Sequence, residues 1–322
     1  MAMLDVRDMH VAFPRGKHDW VEALRGVDLT LERGERLGVV GESGAGKSML
    51  AFAILNLIAE PGIVSQGSVT FEGQELLHLS ENQIRSLRGN RISMIFQDPM
   101  VTLNPVLSIG VQMIETLQAH RKISKREARK LCIDKLKMVA IPSAESRMDA
   151  YPHELSGGLR QRVVIAIALL TDPELIIADE PTTALDVTIQ AEIMSLILKL
   201  CRENDVALIL ITHDLGVVAE VTERIMIMYA GKCVEEGPTR DIIHGPSHPY
   251  TAGLLKALPQ FAGRGTKLYQ IPGSMPPITA LPSGCAYHPR CEFASDRCRA
   301  EIPEFDNGAA CFHPLKATEA AK

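Results

Sequence analysis

The sequence lacks an apolar run of the roughly eighteen residues that a membrane-spanning helix requires; its longest, Val163 to Leu170, is eight residues. It does not open like an export leader either, because Asp5 and Arg7 stand where such a leader needs apolar residues. Basic charge is in short supply: 34 Lys and Arg face 39 Asp and Glu, for a formal net charge of −5, and aromatics make up only 4%. A chain with neither a basic excess nor stacking rings has no electrostatic footprint for nucleic acid, and no nucleic-acid partner is expected. Without an export signal, its seven cysteines are expected to be reduced thiols or metal ligands rather than disulfides. Cys132, Cys201 and Cys233 are scattered and read as core or surface thiols. The other four crowd the C-terminal part. At 322 residues the chain has room for one large α/β domain with an appendage.

What is present is organised around Gly41-Glu42-Ser43-Gly44-Ala45-Gly46-Lys47-Ser48. The stretch fits G-x-x-x-x-G-K-[ST]. It follows the apolar run Leu37-Gly38-Val39-Val40 and precedes the helix-forming Met49-Leu50-Ala51-Phe52-Ala53-Ile54-Leu55. A strand, a glycine-rich turn and a helix N-terminus are the context in which backbone N–H groups converge on phosphate oxygens. Lys47 is then the cation for the β- and γ-phosphates, and the Ser48 hydroxyl a Mg²⁺ ligand.

The rest of the chain reads as strands alternating with helices. Val11-Ala12-Phe13, Val21 to Leu24 and Val27 to Leu31 suggest small antiparallel strands, and Ser68 to Phe71 another. Parallel core strands are expected at Ile92 to Phe96, Leu175 to Ala178, Ala207 to Ile211 and Arg224 to Tyr229. Such sheets bind ligands beyond the C-terminal ends of their strands, so the residues there matter most. Gln97, Asp179-Glu180 and His213 occupy three of those ends. Asp179 suits a carboxylate that holds Mg²⁺ through water, and Glu180 a general base for the attacking water. Gln97 suits contact with both metal and water, and His213 the γ-phosphate. A mostly helical insert follows Gln97 and includes Lys125 to Val139, whose apolar positions recur at helical spacing. It ends at Leu155-Ser156-Gly157-Gly158-Leu159, which opens the apolar helix Val163 to Leu170. One loop already serves the phosphates of this chain, so a second Gly-rich helix N-terminus points to the nucleotide of another subunit.

Taken in order, these motifs resemble those of the ATP-binding subunits of ABC transporters, over residues 4 to 258. Gly41 to Ser48, with Met49 beside it, resembles the Walker A loop, Gln97 the Q-loop, and Leu155 to Leu159 the signature. Leu175 to Glu180 is similar to the Walker B strand, Ala184-Leu185-Asp186 to the D-loop, and His213 to the switch histidine. Leu159 departs mildly from the pattern, where many members carry Gln. The resemblance implies a P-loop NTPase cassette: a RecA-like parallel sheet core, an N-terminal antiparallel β subdomain and a helical signature subdomain. The implied domains are 1–258 (helical insert about 98–160) and a C-terminal extension at 259–322. Phe13 best fits the aromatic that stacks on adenine, with Trp20 second. The loop Asp98 to Asn104 is expected to receive a coupling helix of a membrane subunit, with Met100 and Leu103 as the apolar contacts.

The segments His248-Pro249-Tyr250-Thr251-Ala252-Gly253-Leu254-Leu255 and Gly284-Cys285-Ala286-Tyr287-His288-Pro289-Arg290-Cys291 are similar to the tail of di- and oligopeptide importer ATPases. That resemblance implies a peripheral position on the cytoplasmic face of the inner membrane. It also implies two transmembrane permease subunits, a second homologous ATPase forming an ATP sandwich, and an extracytoplasmic solute-binding protein. Relatives that carry nickel chelates or other solutes, and ABC ATPases with no membrane partner, are the alternatives. Cys285, Cys291, Cys298 and Cys311 follow C-x₅-C-x₆-C-x₁₂-C in a Pro- and Gly-rich segment that needs a staple to fold. Four thiols suit either Zn²⁺ or a [4Fe–4S] cluster, and His288 and His313 are spare ligands for zinc. The spacing is wider than the C-x₂-C of zinc ribbons, and the tail resembles that of importers with an iron–sulfur cluster, so the cluster is the expectation.

Overall fold

The structure, a computed structural model, describes residues 2–16, 19–183, 186–258 and 269–315, with the backbone alone at Val187. Ala184 and Leu185 of the expected D-loop, and the first residues of the expected extension from 259, lie outside the described residues. The chain divides into two compact units: Met1–Glu32, Arg36–Leu77 and Leu210–Lys322 form the first, and Arg33–Glu35 with His78–Ile209 the second. The described residues on both sides of the expected boundary at 258 therefore belong to one unit.

In the first unit, β1 (Leu4–Pro14) and β2 (Trp20–Leu31) form a long antiparallel hairpin, and β4 (Ile63–Phe71) and β5 (Gln74–Glu75) complete a sheet in the order β2-β1-β4-β5. Two long strands thus replace the several small ones expected. Gly26, between two of the expected short strands, is a bulge inside β2, at φ 77°, opposite the irregular stretch of β1 between Val6 and His10.

β3 (Arg36–Val40) runs parallel to β9 (Arg224–Tyr229), with Leu37 opposite Arg224 and Val40 opposite Ile227. β10 (Lys232–Pro238) returns antiparallel to β9 after Ala230 and Gly231, both at positive φ, the geometry of a tight hairpin. β10 escapes the sequence pattern because charged Glu235 and Glu236 interrupt it. Around these strands lie α1 (Lys47–Ile54), α9 (Leu215–Val221), α10 (Thr239–His244), α11 (Pro249–Lys256) and α12 (Asp296–Ala300). A Cβ on Gly38 would stand 2.3 Å from Val218, so glycine lets α9 close onto β3.

In the second unit, β6 (Ile92–Ile95) pairs in parallel with β7 (Leu175–Asp179), Ile92 opposite Leu175 and Ile95 opposite Ala178. Its helices are α2 (Glu81–Leu87), α3 (Pro99–Thr102), α4 (Ile109–His120), α5 (Lys125–Met138), α6 (Ala144–Arg147), α7 (Gly157–Ala168) and α8 (Val187–Glu203). α5 starts on a capping box of Ser124 and Glu127 and buries Ala128, Cys132 and Leu136, one residue per turn, while Lys135, its side chain 16% exposed, pairs with Asp172. α7 buries Val163, Val164 and Ile165, each worth about 1.5–3 kcal/mol of apolar transfer. β8 (Ala207–Thr212) begins in this unit and ends in the first.

Docking contributes to the order of the tail. Beyond the five-residue α12 it has only short 3₁₀ turns at Ile278–Ala280 and His288–Arg290. Yet the Ala310 N–H donates to the Val234 carbonyl, and the Glu236 N–H donates to that of Gly308, laying residues 308–310 along β10.

Candidate functional site

Where β3 ends, the chain turns at once into Gly41. A Cβ there would stand 2.4 Å from the Met228 carbonyl oxygen, so only glycine lets the loop lie on β9. Gly44 and Gly46 take positive φ, 85° and 102°. No side chain caps the start of α1, and its first N–H groups face the loop with the positive end of the helix dipole. Lys47 is 5% exposed, and its ammonium donates to the Gly41 and Glu42 carbonyls at 2.8 and 3.1 Å, which makes burial of the charge tolerable. Ser43 and Gly44 are exposed, Ala45 is buried, and Ser48 and Met49 are half-buried.

Phe13 sits on the β1–β2 hairpin opposite Val21, half-buried, with its ring against Gly62, where a Cβ would come within 2.4 Å of it. Trp20, opposite Pro14, is 47% exposed. His213 follows β8 and is exposed, and the next residue, Asp214, caps α9 by accepting from the Gly216 and Val217 N–H groups.

In the second unit, β7 is buried throughout and ends on Asp179. Glu180 comes next at φ 44°, a left-handed conformation that costs a non-glycine residue about 1–2 kcal/mol. Its side chain is held from two directions: Oε2 accepts from Gln97 Nε2 at 3.2 Å and from the Thr183 hydroxyl at 2.7 Å. The structure thus brings Gln97 and Glu180 together. Thr183 was missed at the sequence level, because a threonine three residues past a strand carries no pattern of its own. Ser156 caps α7 by accepting from the Leu159 N–H, with Gly157 and Gly158 in the first turn.

The segment after Gln97 corrects one expectation. Residues 99–102 are a short helix, α3, which Asp98 caps by accepting from the Met100 N–H. Leu103 is 2% exposed and belongs to the core, whereas Val101 and Val106 are 84% and 76% exposed and Met100 is 47% exposed. The outward apolar residues are therefore Met100, Val101 and Val106.

Cys285, Cys291, Cys298 and Cys311 line one cavity with His248, His288, His313, Tyr287 and Phe312. All four are free thiols. Burial raises the pKa of Cys285 and pushes Cys291 and Cys311 up to about 11, with the neighbouring thiols adding to the rise. The Cys311 sulfur accepts from the His313 N–H at 3.4 Å. His288 Nδ1 is paired with the Cys285 carbonyl, and His313 Nε2 with the Ser295 hydroxyl. Among the described residues, no three His, Cys, Asp or Glu side chains converge as the ligands of one metal ion would.

The parallel strands, the glycine loop that opens α1 and the carboxylates that close β7 are those of an ATP-binding cassette. The ABC transporter family matches residues 24–183, and the C-terminal region of oligopeptide/dipeptide transporters matches residues 234–298. The oligopeptide transport ATP-binding protein OppD of Salmonella typhimurium is 48% identical over 318 residues, 98% of this chain and 94% of that one. The dipeptide transport ATP-binding protein DppD of Escherichia coli is 46% identical over 320 residues, 98% of both chains. Among solved structures, the dimeric post-hydrolysis state of the ATP-binding cassette MJ0796 with ADP and Pi aligns with a TM-score of 0.66 at 30% identity. That alignment covers 74% of this chain and 99% of that one. The chain belongs to the oligopeptide/dipeptide branch of the ABC transporter ATP-binding proteins.

Proposed function

We propose that this chain is the ATP-hydrolysing subunit of an importer of di- and oligopeptides, working with two membrane permeases and an extracytoplasmic solute-binding protein. The observation that carries the reading is near full-length similarity to OppD and DppD, continuing through the peptide-transporter C-terminal region. A peripheral place on the cytoplasmic face of the inner membrane accords with this role. None of the described helices is long and apolar enough to cross a membrane.

Residues 41–49 cradle the nucleotide phosphates, with Lys47 on the β- and γ-phosphates. Adenine stacks at the β1–β2 hairpin on Phe13, with the more exposed Trp20 as the other candidate ring. Ser48, Gln97 and Asp179 are the residues that would hold Mg²⁺, which when bound would supply charge neutralisation at the phosphates. Glu180 accepts a proton as water attacks the γ-phosphorus; the bond from phosphorus to the bridging oxygen breaks, and ADP leaves. His213 contacts the γ-phosphate. Ser156, Gly157 and Gly158 serve the nucleotide of a homologous partner ATPase in a head-to-tail pair, a reading supported by the capped, glycine-rich start of α7.

For the cysteine cavity we propose a [4Fe–4S] cluster that pins the tail, with zinc as the alternative. The donor set suits a cluster: four thiols line one cavity, an N–H is directed at the Cys311 sulfur, and the lining histidines His248, His288 and His313 each engage one ring nitrogen in a hydrogen bond. Four cysteines that each bind their own iron need not converge on one point, whereas four ligands of a single zinc ion must. No electron-transfer role follows.

Two substitutions test the nucleotide and coupling assignments. Lys47→Ala should weaken binding of a fluorescent ATP analogue at least about tenfold, by loss of the charge-assisted contacts to phosphate; unchanged affinity would remove the loop from the site. Val101→Asp with Val106→Asp should leave nucleotide affinity intact while abolishing peptide-stimulated ATP turnover in the assembled transporter. Each change replaces an exposed apolar side chain, so the fold should survive it. Co-purification of permease subunits with the unmodified chain separates an importer from a membrane-independent ATPase.

A further inference from the structure

Arg290 lies between the tail cavity and the phosphate loop. Its guanidinium donates to both carboxylate oxygens of Glu42, Nη1 at 2.6 Å and Nη2 at 3.0 Å, across 248 positions of sequence. The arginine side chain is 4% exposed and that of Glu42 32%, so the fork is largely shielded from solvent. Two further donors are used: Nε reaches the Pro272 carbonyl at 2.8 Å, and Nη1 the Tyr229 hydroxyl at 3.3 Å. A second contact reaches the same loop residue, for the Glu42 N–H donates to the Tyr250 hydroxyl at 2.8 Å. Tyr229, Tyr250 and Tyr287 pack as a trio, with ring centroids 4.7 to 5.4 Å apart, and so fix both contacts. The tail also borders the loop at Gly44, where a Cβ would stand 3.9 Å from the Met275 sulfur. Arg290 itself rides on the 3₁₀ turn His288–Arg290, which begins on a hydrogen bond to the Cys285 carbonyl and runs into Cys291.

Glu42 is the second residue of the glycine loop, and its carbonyl accepts from Lys47. A bidentate arginine–carboxylate pair fixes direction as well as distance. Displacing a binding loop by about an ångström is enough to cost large factors in productive geometry. We propose that Arg290 is a positioning residue for the phosphate loop: by clamping Glu42 it sets the geometry in which residues 41–48 receive nucleotide phosphate. Through its turn, the cysteine-lined cavity is then mechanically joined to the ATP site. This inference rests on the reading of residues 41–48 as the phosphate loop.

The test is a double-mutant cycle on the full-length chain, with Arg290→Met, Glu42→Gln and the pair, read as equilibrium affinity for a fluorescent ATP analogue. Lys47→Ala is measured beside them. Each single clamp variant should weaken affinity about tenfold, and the pair should be no weaker than either alone. Glu42→Gln leaves the tail's own residues untouched, so it reports even if Arg290→Met loosens the tail. A mere tail-anchoring role for Arg290 would leave affinity within twofold of the unmodified protein in both single variants, and that result overturns the clamp. Additive losses near a hundredfold in the pair overturn it too, because the residues would then act separately. If Lys47→Ala binds normally, the loop assignment falls and takes the clamp with it. Normal binding by the clamp variants beside an impaired Lys47→Ala sinks the clamp alone.

Discussion

Replacing Glu180 by glutamine should lower ATP turnover by on the order of 10² or more while nucleotide affinity stays close to that of the unmodified chain. The substitution keeps the size of the side chain and removes its capacity to take a proton. The surroundings make it a clean experiment. Glu180 Oε2 accepts from Gln97 and from Thr183, and a glutamine carbonyl can accept from both donors in the same way. The left-handed backbone at Glu180 is unchanged in the variant, so no new strain is introduced. With ATP bound and not cleaved, the closed pair of ATPase subunits should accumulate, seen as a shift to dimer in size-exclusion chromatography with ATP and Mg²⁺. Turnover within a fewfold of normal in the assembled transporter would mean that another group accepts the proton. Thr183→Ala is the companion measurement: loss of its hydrogen bond to Glu180 should slow turnover much less, since a holder is removed and the base remains.

What could be read from the sequence was the chemistry carried by contiguous residues. The loop from Gly41 to Ser48 needs a strand before it and a helix after it, and both were visible as local patterns. The ends of strands were visible for the same reason, and Gln97 and Glu180, marked separately, share a hydrogen bond. Features set by distant partners were not legible. The pairing of Arg290 with Glu42 spans 248 positions, and no periodicity announces it, although both residues lie in segments that the motifs singled out. Leu103 misled because a four-residue helix is too short to show which of its neighbours face inward. β2 was divided into two short strands for a related reason: Gly26, a glycine within a strand, has the same local signature as a glycine in a turn. The tail looked as if it required a staple of its own. In part it is ordered by lying along β10 and by burying Tyr287 among other tyrosines.

Protein purified under anaerobic conditions should be brown, with the broad visible absorption of sulfide-to-iron charge transfer and about four irons per chain. The donor set gives the reason: four thiols line one cavity, and the His313 N–H is directed at the Cys311 sulfur. Burial holds Cys285, Cys291 and Cys311 toward the neutral form, with Cys291 and Cys311 near 11, so a set of thiolates is not stable in this cavity without a compensating cation. Iron binding would have to deprotonate these thiols, so iron occupancy should fall as the pH is lowered. Cys291→Ser should lose most of the iron. Because Cys291 directly follows the turn that carries Arg290, the same variant should also weaken nucleotide binding, by less than Arg290→Met does. Colourless anaerobic protein with one zinc per chain would replace the cluster by the alternative metal. Metal-free protein with four alkylatable thiols and an unchanged melting temperature would remove metal from the tail altogether. Bleaching in air decides nothing between these outcomes, since exposed clusters oxidise, so the iron count must be made before oxygen is admitted.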